Sequence, residues 1–343
     1  MPGLPELAQA LLDPKAYPDS SSGVHPELSR GITLMQTQMS LVFLTGEYVY
    51  KVKKPVDLGY LDYTTLEKRH FFCQREVELN RRLCPDAYLG VVPITDDRGH
   101  IRIDGSGAVI EYAVKMRQLP QERMLNVLLA GNRVTGEMIT GVAKKMAEFH
   151  KAAATSPAIS RYGSLDIITL DAEEDFSQTV KYLGKTISQE TYQHIKRYTN
   201  DFIEANADLF SKRVTDGRIR DCHGDLHAAH VCFNKNGICI YDCIEFNDRF
   251  RYLDVASEIA FLAMDLDNYG SSDLSNSFVG DYVSFSGDED LVKLLDFYKC
   301  YRAYVRGKVE GFKLDSPLMP EDEKKKALAA AKKYFELAEG YIG

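Results

Sequence analysis

The stretch HGDLHAAH, residues 223–230, places three histidines and one aspartate within eight positions. A second aspartate, Asp242, follows Asp225 by 17 residues and ends the apolar run ICIYD. Two chemistries fit this set. One loop carboxylate can orient a hydroxyl and accept its proton while the other carries Mg²⁺ beside phosphates. Alternatively, closely spaced histidines can bind a transition metal that activates water.

Two lysines upstream favour the first chemistry. The run YVYKVK follows a turn at TGE and predicts a short strand, on which Lys51 and Lys53 share one face. The helix predicted after this strand carries Glu76 and Glu78. In phosphoryl transfer from ATP, a strand lysine holds the phosphates and a helix glutamate fixes that lysine by an ion pair. Taken alone, the two lysines could equally form the charged face of an edge strand, which discourages aggregation.

The elements that would position these residues change character along the chain. Before about residue 115 the pattern alternates as in strands, apart from a short amphipathic helix over Pro5 to Leu12 and a longer helix that begins at Thr64 or Thr65. Helical spacing then continues almost to the end and includes a long helix over about Gln189 to Phe210. One hairpin, HVCFNKNGICIYDCIEF, interrupts it, with the turn at NKNG. We therefore expect an α+β fold of two lobes, a small antiparallel-sheet lobe over 1–115 and a larger, mainly helical lobe over 116–343.

Composition limits the possible partners. The 343 residues are 45% hydrophobic, enough for one large core or two connected ones. A net charge of -8 disfavours nucleic acid, and no uncharged apolar run of about 18 residues predicts a membrane span. The N-terminus lacks a secretory pattern, and none of the seven cysteines forms a CxxC pair. We expect a cytoplasmic monomer or homodimer with reduced cysteines.

The combination of HGDLHAAH with YDCIEF resembles the catalytic loop and metal-binding aspartate of the aminoglycoside phosphotransferase family, within the protein-kinase-like fold. The likeness covers about residues 30 to 310. The segments VYKVKKPVDLGYLDYTTLEKR, REVELNRRL and DCIEFNDRFRYLDVASEIAFL are similar to those of an uncharacterised bacterial subgroup. The resemblance implies a kinase that uses ATP and Mg²⁺ to phosphorylate a hydroxyl of a small molecule, which would be aminoglycoside-, sugar- or amino-alcohol-like.

The resemblance also implies roles for individual residues. Asp225 would be the catalytic base and Asp242 the principal Mg²⁺ ligand. Lys51 would hold the nucleotide phosphates, with Lys53 as its possible replacement, and Glu76 would be the partner of the lysine.

Three further roles follow from the same likeness. Because no glycine-rich GxGxxG loop is present, Ser40 and nearby backbone N–H groups would substitute for it. EYAVKMRQLP would be the hinge, whose backbone from Ala113 to Met116 would meet adenine. Asp254 would brace the catalytic loop.

One position departs from the family pattern. The family places Asn where this chain has His230, and imidazole is a poor ligand for a hard cation that prefers oxygen. Either the site uses one protein-bound metal, or a neighbour such as His227 or Glu245 is recruited, or the site is weakened. We retain His230 as a candidate metal ligand.

Two alternative functions stay open. The first is a nucleotide-binding, kinase-like protein with weak or no catalysis. The second is a His-rich metal-dependent hydrolase that uses His223, His227 and His230 with Asp242.

The charge of the acceptor is also open. The acidic segments MDLDNYGSSD and SGDEDL could shape a pocket for a cationic substrate. A helical stripe with Arg302 and Arg306 could instead hold an anionic one.

Overall fold

The computed structural model describes residues 4–18, 31–316 and 319–342. The helices within these ranges are α1 (Leu4–Ala10), α2 (Leu66–Asn80), α3 (Leu125–Ala130), α4 (Gly136–Ala152), α5 (Pro157–Ser160), α6 (Leu165–Thr179), α7 (Gln189–Ala205), α8 (Ala207–Thr215), α9 (Val255–Asn268), α10 (Ser272–Ser286), α11 (Leu291–Phe312) and α12 (Glu321–Gly340). The strands are β1 (Thr33–Gln36), β2 (Ser40–Leu44), β3 (Tyr48–Lys53), β4 (Tyr88–Asp97), β5 (His100–Ile103), β6 (Ala108–Arg117), β7 (Ile219–Asp221), β8 (Val231–Asn234), β9 (Gly237–Ile240) and β10 (Tyr252–Asp254).

The chain divides into two compact units. Of the described residues, those within 1–123 and 232–248 form the sheet unit, and those within 124–231 and 249–343 form the helical unit. The hairpin β8–β9 therefore belongs mainly to the sheet unit, although it lies within the helical part of the sequence. The functional division of the chain into lobes over 1–115 and 116–343 stays a prediction.

Six antiparallel strands form the sheet in the order β1-β2-β3-β6-β4-β5. The alternation predicted for β3 separates its two faces. Tyr50 and Val52 lie in a buried apolar cluster with Leu7 and Leu11 from the N-terminal segment. The lysines point to the other face, because successive strand residues alternate.

Helix α2 packs against β4 and β6. It begins where the sequence predicts, since the Thr65 hydroxyl accepts a hydrogen bond from the Lys68 amide as an N-cap. Arg69 fastens the helix to the sheet through a buried ion pair with Glu111 on β6, at 2.8 Å. The buried residues of α2 are thus held in a defined position relative to the sheet.

The helical unit is built around α9, in which every residue from Val255 to Leu266 is buried. Helices α4, α10 and α11 pack against one another or against α9. The long helix predicted over about Gln189 to Phe210 was wrong, because α7 and α8 are separated at Asn206. The Asn206 side chain donates to the Phe202 carbonyl at 2.9 Å, a local bond that competes with continuation of the helix.

The expectation that all cysteines are reduced was wrong for two of them. Cys84 and Cys239 form a disulfide that joins the segment after α2 to β9. The other five cysteines, all within the described ranges, are buried thiols outside any disulfide. Among the described residues, no helix has both the length and the apolar composition needed to cross a membrane.

Candidate active site

A single buried carboxylate bridges the two lysines of β3. Glu76 of α2 lies 2.9 Å from the Lys51 ammonium and 2.7 Å from that of Lys53, each through a different oxygen. Glu76 is fully buried. The alternative residue, Glu78, is exposed and pairs with Arg75 on the same helix. The predicted ion pair between the strand and the helix therefore involves Glu76.

The segment that follows β9 adds two more carboxylates. The Lys51 ammonium donates to Asp242 at 2.8 Å, and the Lys53 ammonium donates to Glu245. Tyr63 also donates its hydroxyl to Glu245, at 2.6 Å. Burial opposes the charge on Lys51, but Asp242 and Glu76 outweigh this effect and raise its pKa well above the usual value. Both lysines are held as cations.

Exposure distinguishes the two lysines. The side chain of Lys53 is 1% exposed and is enclosed by Glu76, Glu245 and Tyr63. Lys51 is 18% exposed, and its partner Asp242 is 42% exposed. A ligand can therefore reach Lys51 and Asp242, whereas Lys53 serves the internal network.

Asp242 adopts a backbone conformation that is uncommon for a residue with a side chain. Its φ of 63° lies in the left-handed region, which costs about 1–3 kcal/mol and persists where the surroundings impose it. Two hydrogen bonds do so: the Asp242 amide donates to the Tyr88 hydroxyl at 3.2 Å, and the Cys243 amide donates to the Asn80 side chain at 2.8 Å. Asn80 belongs to α2, as Glu76 does, so one helix orients both carboxylates.

Three other predicted nucleotide contacts lie in the sheet. Ser40 is the buried first residue of β2 and is paired in register with Lys53. Ala113 and Met116 lie within β6, where each is flanked by residues of β3 on one side and β4 on the other. The segment expected as a hinge is therefore part of a central strand, which ends at Arg117. Contact of these residues with a nucleotide stays a prediction.

In the helical unit, Glu258 holds the start of the HGD loop, residues 223–230. Its carboxylate accepts hydrogen bonds from the backbone amides of His223 at 2.9 Å and Gly224 at 2.6 Å. His150 lies 2.8 Å from the same carboxylate through Nε2, and its Nδ1 lies 2.7 Å from the Tyr282 hydroxyl. This buried network fixes the backbone immediately before Asp225.

The brace expected from Asp254 is therefore supplied by a different residue. Asp254 instead forms a two-pronged ion pair with Arg213, with N–O distances of 2.9 and 2.6 Å. It also caps α9 by accepting from the Ala256 amide. Glu258, one turn later on α9, contacts the start of the HGD loop.

Two histidines flank the Asp225 carboxylate. His227 Nε2 lies 3.6 Å and His230 Nδ1 3.5 Å from one carboxylate oxygen. His230 Nδ1 also lies 3.0 Å from the Asp225 carbonyl oxygen, and it must donate there because a carbonyl can only accept. Burial raises the pKa of Asp225, but the histidine charges and the more distant Arg306 outweigh it and hold that pKa far below its usual value. The Asp225 carboxylate is thus ionised.

The three histidines of the HGD loop lie in different environments. Asp225, His227 and His230 place one potential ligand atom each within 4.8 Å of one another. His223 is fully buried, and its Nδ1 accepts from the Asp225 amide at 3.3 Å. This agrees with a structural histidine at position 223 rather than a third ligand of a His cluster.

The sequence interpretation missed several residues of both networks. Glu258 is the one charged residue among the apolar positions of VASEIAFLAM, and a charge at such a place signals a buried, paired group. Tyr63, Tyr88 and Asn80 carry no comparable signal, because their partners lie far away in the sequence.

Replacing Glu258 by Gln is expected to remove a stability contribution of about 3 kcal/mol at neutral pH. Burial opposes its charge, but His150 and the loop amides outweigh it and lower its pKa from 4.5 to about 2. A depressed carboxyl pKa stabilises the folded state above pH 4.5, and this contribution disappears as the pH falls toward 2. Urea unfolding of both proteins between pH 7 and 2.5 should therefore show a difference that narrows below pH 4.5.

Glu336→Gln provides the control, because this residue is exposed on α12. A difference between wild type and Glu258→Gln that stays constant down to pH 2.5 would contradict the ionised, loop-binding state of Glu258.

Comparison with known proteins places this geometry in context. No protein-family model matches the chain. Uncharacterized proteins of Mycobacterium tuberculosis and Mycobacterium bovis are each 33% identical over 293 residues, which is 85% of this chain and 57% of theirs. The chain thus spans little more than half the length of these curated relatives.

Solved structures give a consistent picture of the fold. A choline kinase from Cryptosporidium parvum matches with a TM-score of 0.56 at 12% identity, covering 97% of this chain and 95% of that one. A choline/ethanolamine kinase family protein from Mesorhizobium loti matches at 0.54 and 12%, covering 99% of both chains. The amicoumacin kinase hAmiN, in complex with AMP-PNP, Ca²⁺ and Ami, matches at 0.50 and 11%, covering 91% and 89%. Together with the six-stranded antiparallel sheet, the lysine–glutamate pair and the HGD loop, these likenesses confirm that the chain has the α+β protein-kinase-like fold.

Proposed function

We propose that the protein transfers the γ-phosphoryl group of ATP to a hydroxyl of a small molecule. The observation that carries this proposal is the Lys51–Glu76–Asp242 arrangement. It sets a partly exposed lysine between a buried helix carboxylate and an accessible aspartate. Phosphoryl transfer requires this kind of charge placement. The kinase-like fold supports the proposal, and so does the amicoumacin kinase, whose structure holds the ATP analogue AMP-PNP.

In the proposed complex, Lys51 donates to the nucleotide phosphates after exchanging its contact with Asp242. Adenine would meet the chain near the end of β6, close to Met116. Asp242 offers a carboxylate oxygen, which suits Mg²⁺, whereas the His230 imidazole fits a hard cation poorly. Asp242 would therefore be the principal protein ligand. When bound, Mg²⁺ would supply charge neutralisation at the phosphates.

Asp225 is the proposed base. It orients the acceptor hydroxyl and takes its proton as the hydroxyl oxygen forms a bond to the γ-phosphorus. The bond from that phosphorus to the β–γ bridging oxygen breaks, and its electron pair leaves with ADP. Contacts with His227 and His230 favour the ionised form of Asp225 before the transfer. Glu258 positions the backbone from which Asp225 projects.

Calorimetric titration with ATP, with and without Mg²⁺, tests the nucleotide site. We expect wild-type affinity to rise when Mg²⁺ is present, because the metal links Asp242 to the phosphates. In the Asp242→Ala variant, the factor by which Mg²⁺ raises the ATP affinity is expected to be smaller than in wild type by about tenfold or more. Asp97→Asn, at an exposed position of β4 in the same unit, should behave as wild type. ATP binding that is absent in wild type under both conditions would refute the proposal.

A second candidate function rests on the grouping of Asp225, His227 and His230, whose ligand atoms lie close enough to share a metal ion. One carboxylate and two imidazoles form a ligand set of the kind that binds Zn²⁺ in hydrolases. Elemental analysis of the purified protein distinguishes this candidate. Stoichiometric zinc or manganese that is lost in His227→Ala, together with no ATP affinity, would favour the hydrolase over the kinase.

A further inference from the structure

A cavity of about 380 Å³ opens in the helical unit beside the end of α9 and between α11 and α12. Its volume falls in the range of pockets for small molecules. Its charged lining residues comprise four cations and two carboxylates, a net charge of +2: Arg306, Lys313, Lys326, Lys333, Glu310 and Glu323. This pocket is named the basic pocket below.

Short contacts connect the basic pocket to the HGD loop. The Ala228 amide, within that loop, donates to Asp265 of α9 at 2.8 Å. The other oxygen of Asp265 accepts from the Tyr334 hydroxyl at 3.4 Å, and Tyr334 lines the pocket. Arg306, also in the lining, lies over the Tyr334 ring at 5.6 Å. The pocket therefore lies within one or two side chains of the loop that carries Asp225.

Four of the six carboxylates in the acidic segments, which could have favoured a cationic substrate, make internal contacts. In MDLDNYGSSD, Asp265 binds the HGD loop and Asp267 pairs with Lys299 at 2.9 Å. In SGDEDL, Asp288 is buried against Arg213, and Asp290 pairs with lysines. These carboxylates are structural and do not line the basic pocket.

The two arginines of the predicted helical stripe also have different contacts. Arg302 is buried, donates to Ser257 at 3.1 Å and lies over the Phe261 ring, so it serves the core. Arg306, one turn later, reaches the pocket. The two pocket carboxylates are each paired with a pocket lysine, Glu310 with Lys313 at 2.6 Å and Glu323 with Lys326 at 2.7 Å. Arg306 also lies 4.0 Å from Glu310, and Lys333 donates to the Asn268 carbonyl at 2.5 Å, so the formal excess of two positive charges belongs to the four cations as a group.

We propose that the basic pocket binds the acceptor, and that the acceptor is an anionic hydroxyl compound, such as a sugar that bears a phosphate or carboxylate group. This inference rests on the proposed kinase function. The anionic group would lie among Arg306, Lys326 and Lys333, with a hydroxyl directed toward Asp225. A cationic amine in the same place would be repelled by the net positive charge.

A charge series on one hexose tests the proposal with the full-length protein. The probes are glucose 6-phosphate, glucose and glucosamine, which differ mainly in charge. Binding is measured by calorimetry without nucleotide, and phosphoryl transfer is measured as ADP formation with Mg²⁺ and ATP. We expect glucose 6-phosphate to bind at least about tenfold more tightly than glucosamine, since two like charges repel where opposite charges attract.

Matched substitutions locate the binding. Lys326→Glu and Lys333→Glu reverse a charge in the pocket and should each weaken glucose 6-phosphate binding about tenfold or more. Lys325→Glu and Lys332→Glu make the same change at adjacent, exposed positions of α12 outside the lining, and should leave binding unchanged. If all four variants lose the same amount of glucose 6-phosphate affinity, the effect comes from the overall charge of the protein. That result would overturn the pocket assignment.

Binding and ADP formation are measured separately, so failure of the anionic acceptor can be distinguished from failure of the kinase function. Phosphoryl transfer to glucosamine but not to glucose 6-phosphate would retain the kinase and overturn the anionic acceptor. Pocket-dependent binding of glucose 6-phosphate without any ADP formation would support the anion site and count against the kinase. Failure of glucose 6-phosphate to bind more tightly than glucose would overturn the anion site.

Discussion

Replacing Asp225 by Asn is expected to lower kcat by about 10²–10⁴-fold, the range typical for loss of a general base. Asn keeps the size of the side chain but cannot accept the hydroxyl proton. It also removes the negative charge that His227 and His230 surround at 3.5–3.6 Å. The measurement is ADP formation with an acceptor that the wild-type protein uses, at saturating ATP.

The same variant should bind ATP nearly as well as wild type. The proposed phosphate lysine and metal ligand, Lys51 and Asp242, belong to the sheet unit and do not depend on the Asp225 charge for their contacts. Asp273→Asn, at an exposed position in the first turn of α10, is the control for the charge change. Wild-type kcat in Asp225→Asn would exclude Asp225 as the base.

The two lysines of β3 should give opposite results when each is replaced by Met. Lys53→Met is expected to destabilise the fold by about 3–5 kcal/mol, because it leaves the buried Glu245 without its ammonium partner. Lys51→Met should destabilise much less, since Glu76 keeps Lys53 and Asp242 is accessible to water. It should instead lower kcat by about 10²–10³-fold, as loss of one transition-state donor does.

Urea unfolding and ADP formation, measured on both variants, separate these effects. Each variant is the control for the other, because both remove one ammonium group from the same strand face and from the same glutamate. Should Lys53→Met fold as stably as wild type while losing activity, the phosphate-binding role would belong to Lys53.

Local rules were enough to predict several parts of the molecule from its sequence. The alternation of YVYKVK placed Lys51 and Lys53 on one face of β3, and the threonines at 64 and 65 marked the beginning of α2. The turn NKNG between two apolar runs predicted the β8–β9 hairpin that leads to Asp242. These signals depend on neighbours a few residues apart, so they are present in the sequence itself.

Other features depended on contacts between distant residues. Lys51 and Asp242 meet across 191 positions, and Tyr63 meets Glu245 across 182. No periodicity encodes such pairs. For the same reason the sequence left open which lysine is accessible, and it assigned the brace of the HGD loop to Asp254 when Glu258 provides it.

The sequence by itself determined the α+β class, the lysine face of β3 and the HGD loop with its downstream aspartate, because each has a local pattern. Only the tertiary structure decided three other points. It enclosed Lys53 and left Lys51 accessible, it held Asp242 in a left-handed conformation, and it paired four carboxylates of the acidic segments internally while leaving a basic pocket beside α9. Burial and the pairing of charges set all three, and both arise when segments far apart in the chain pack together.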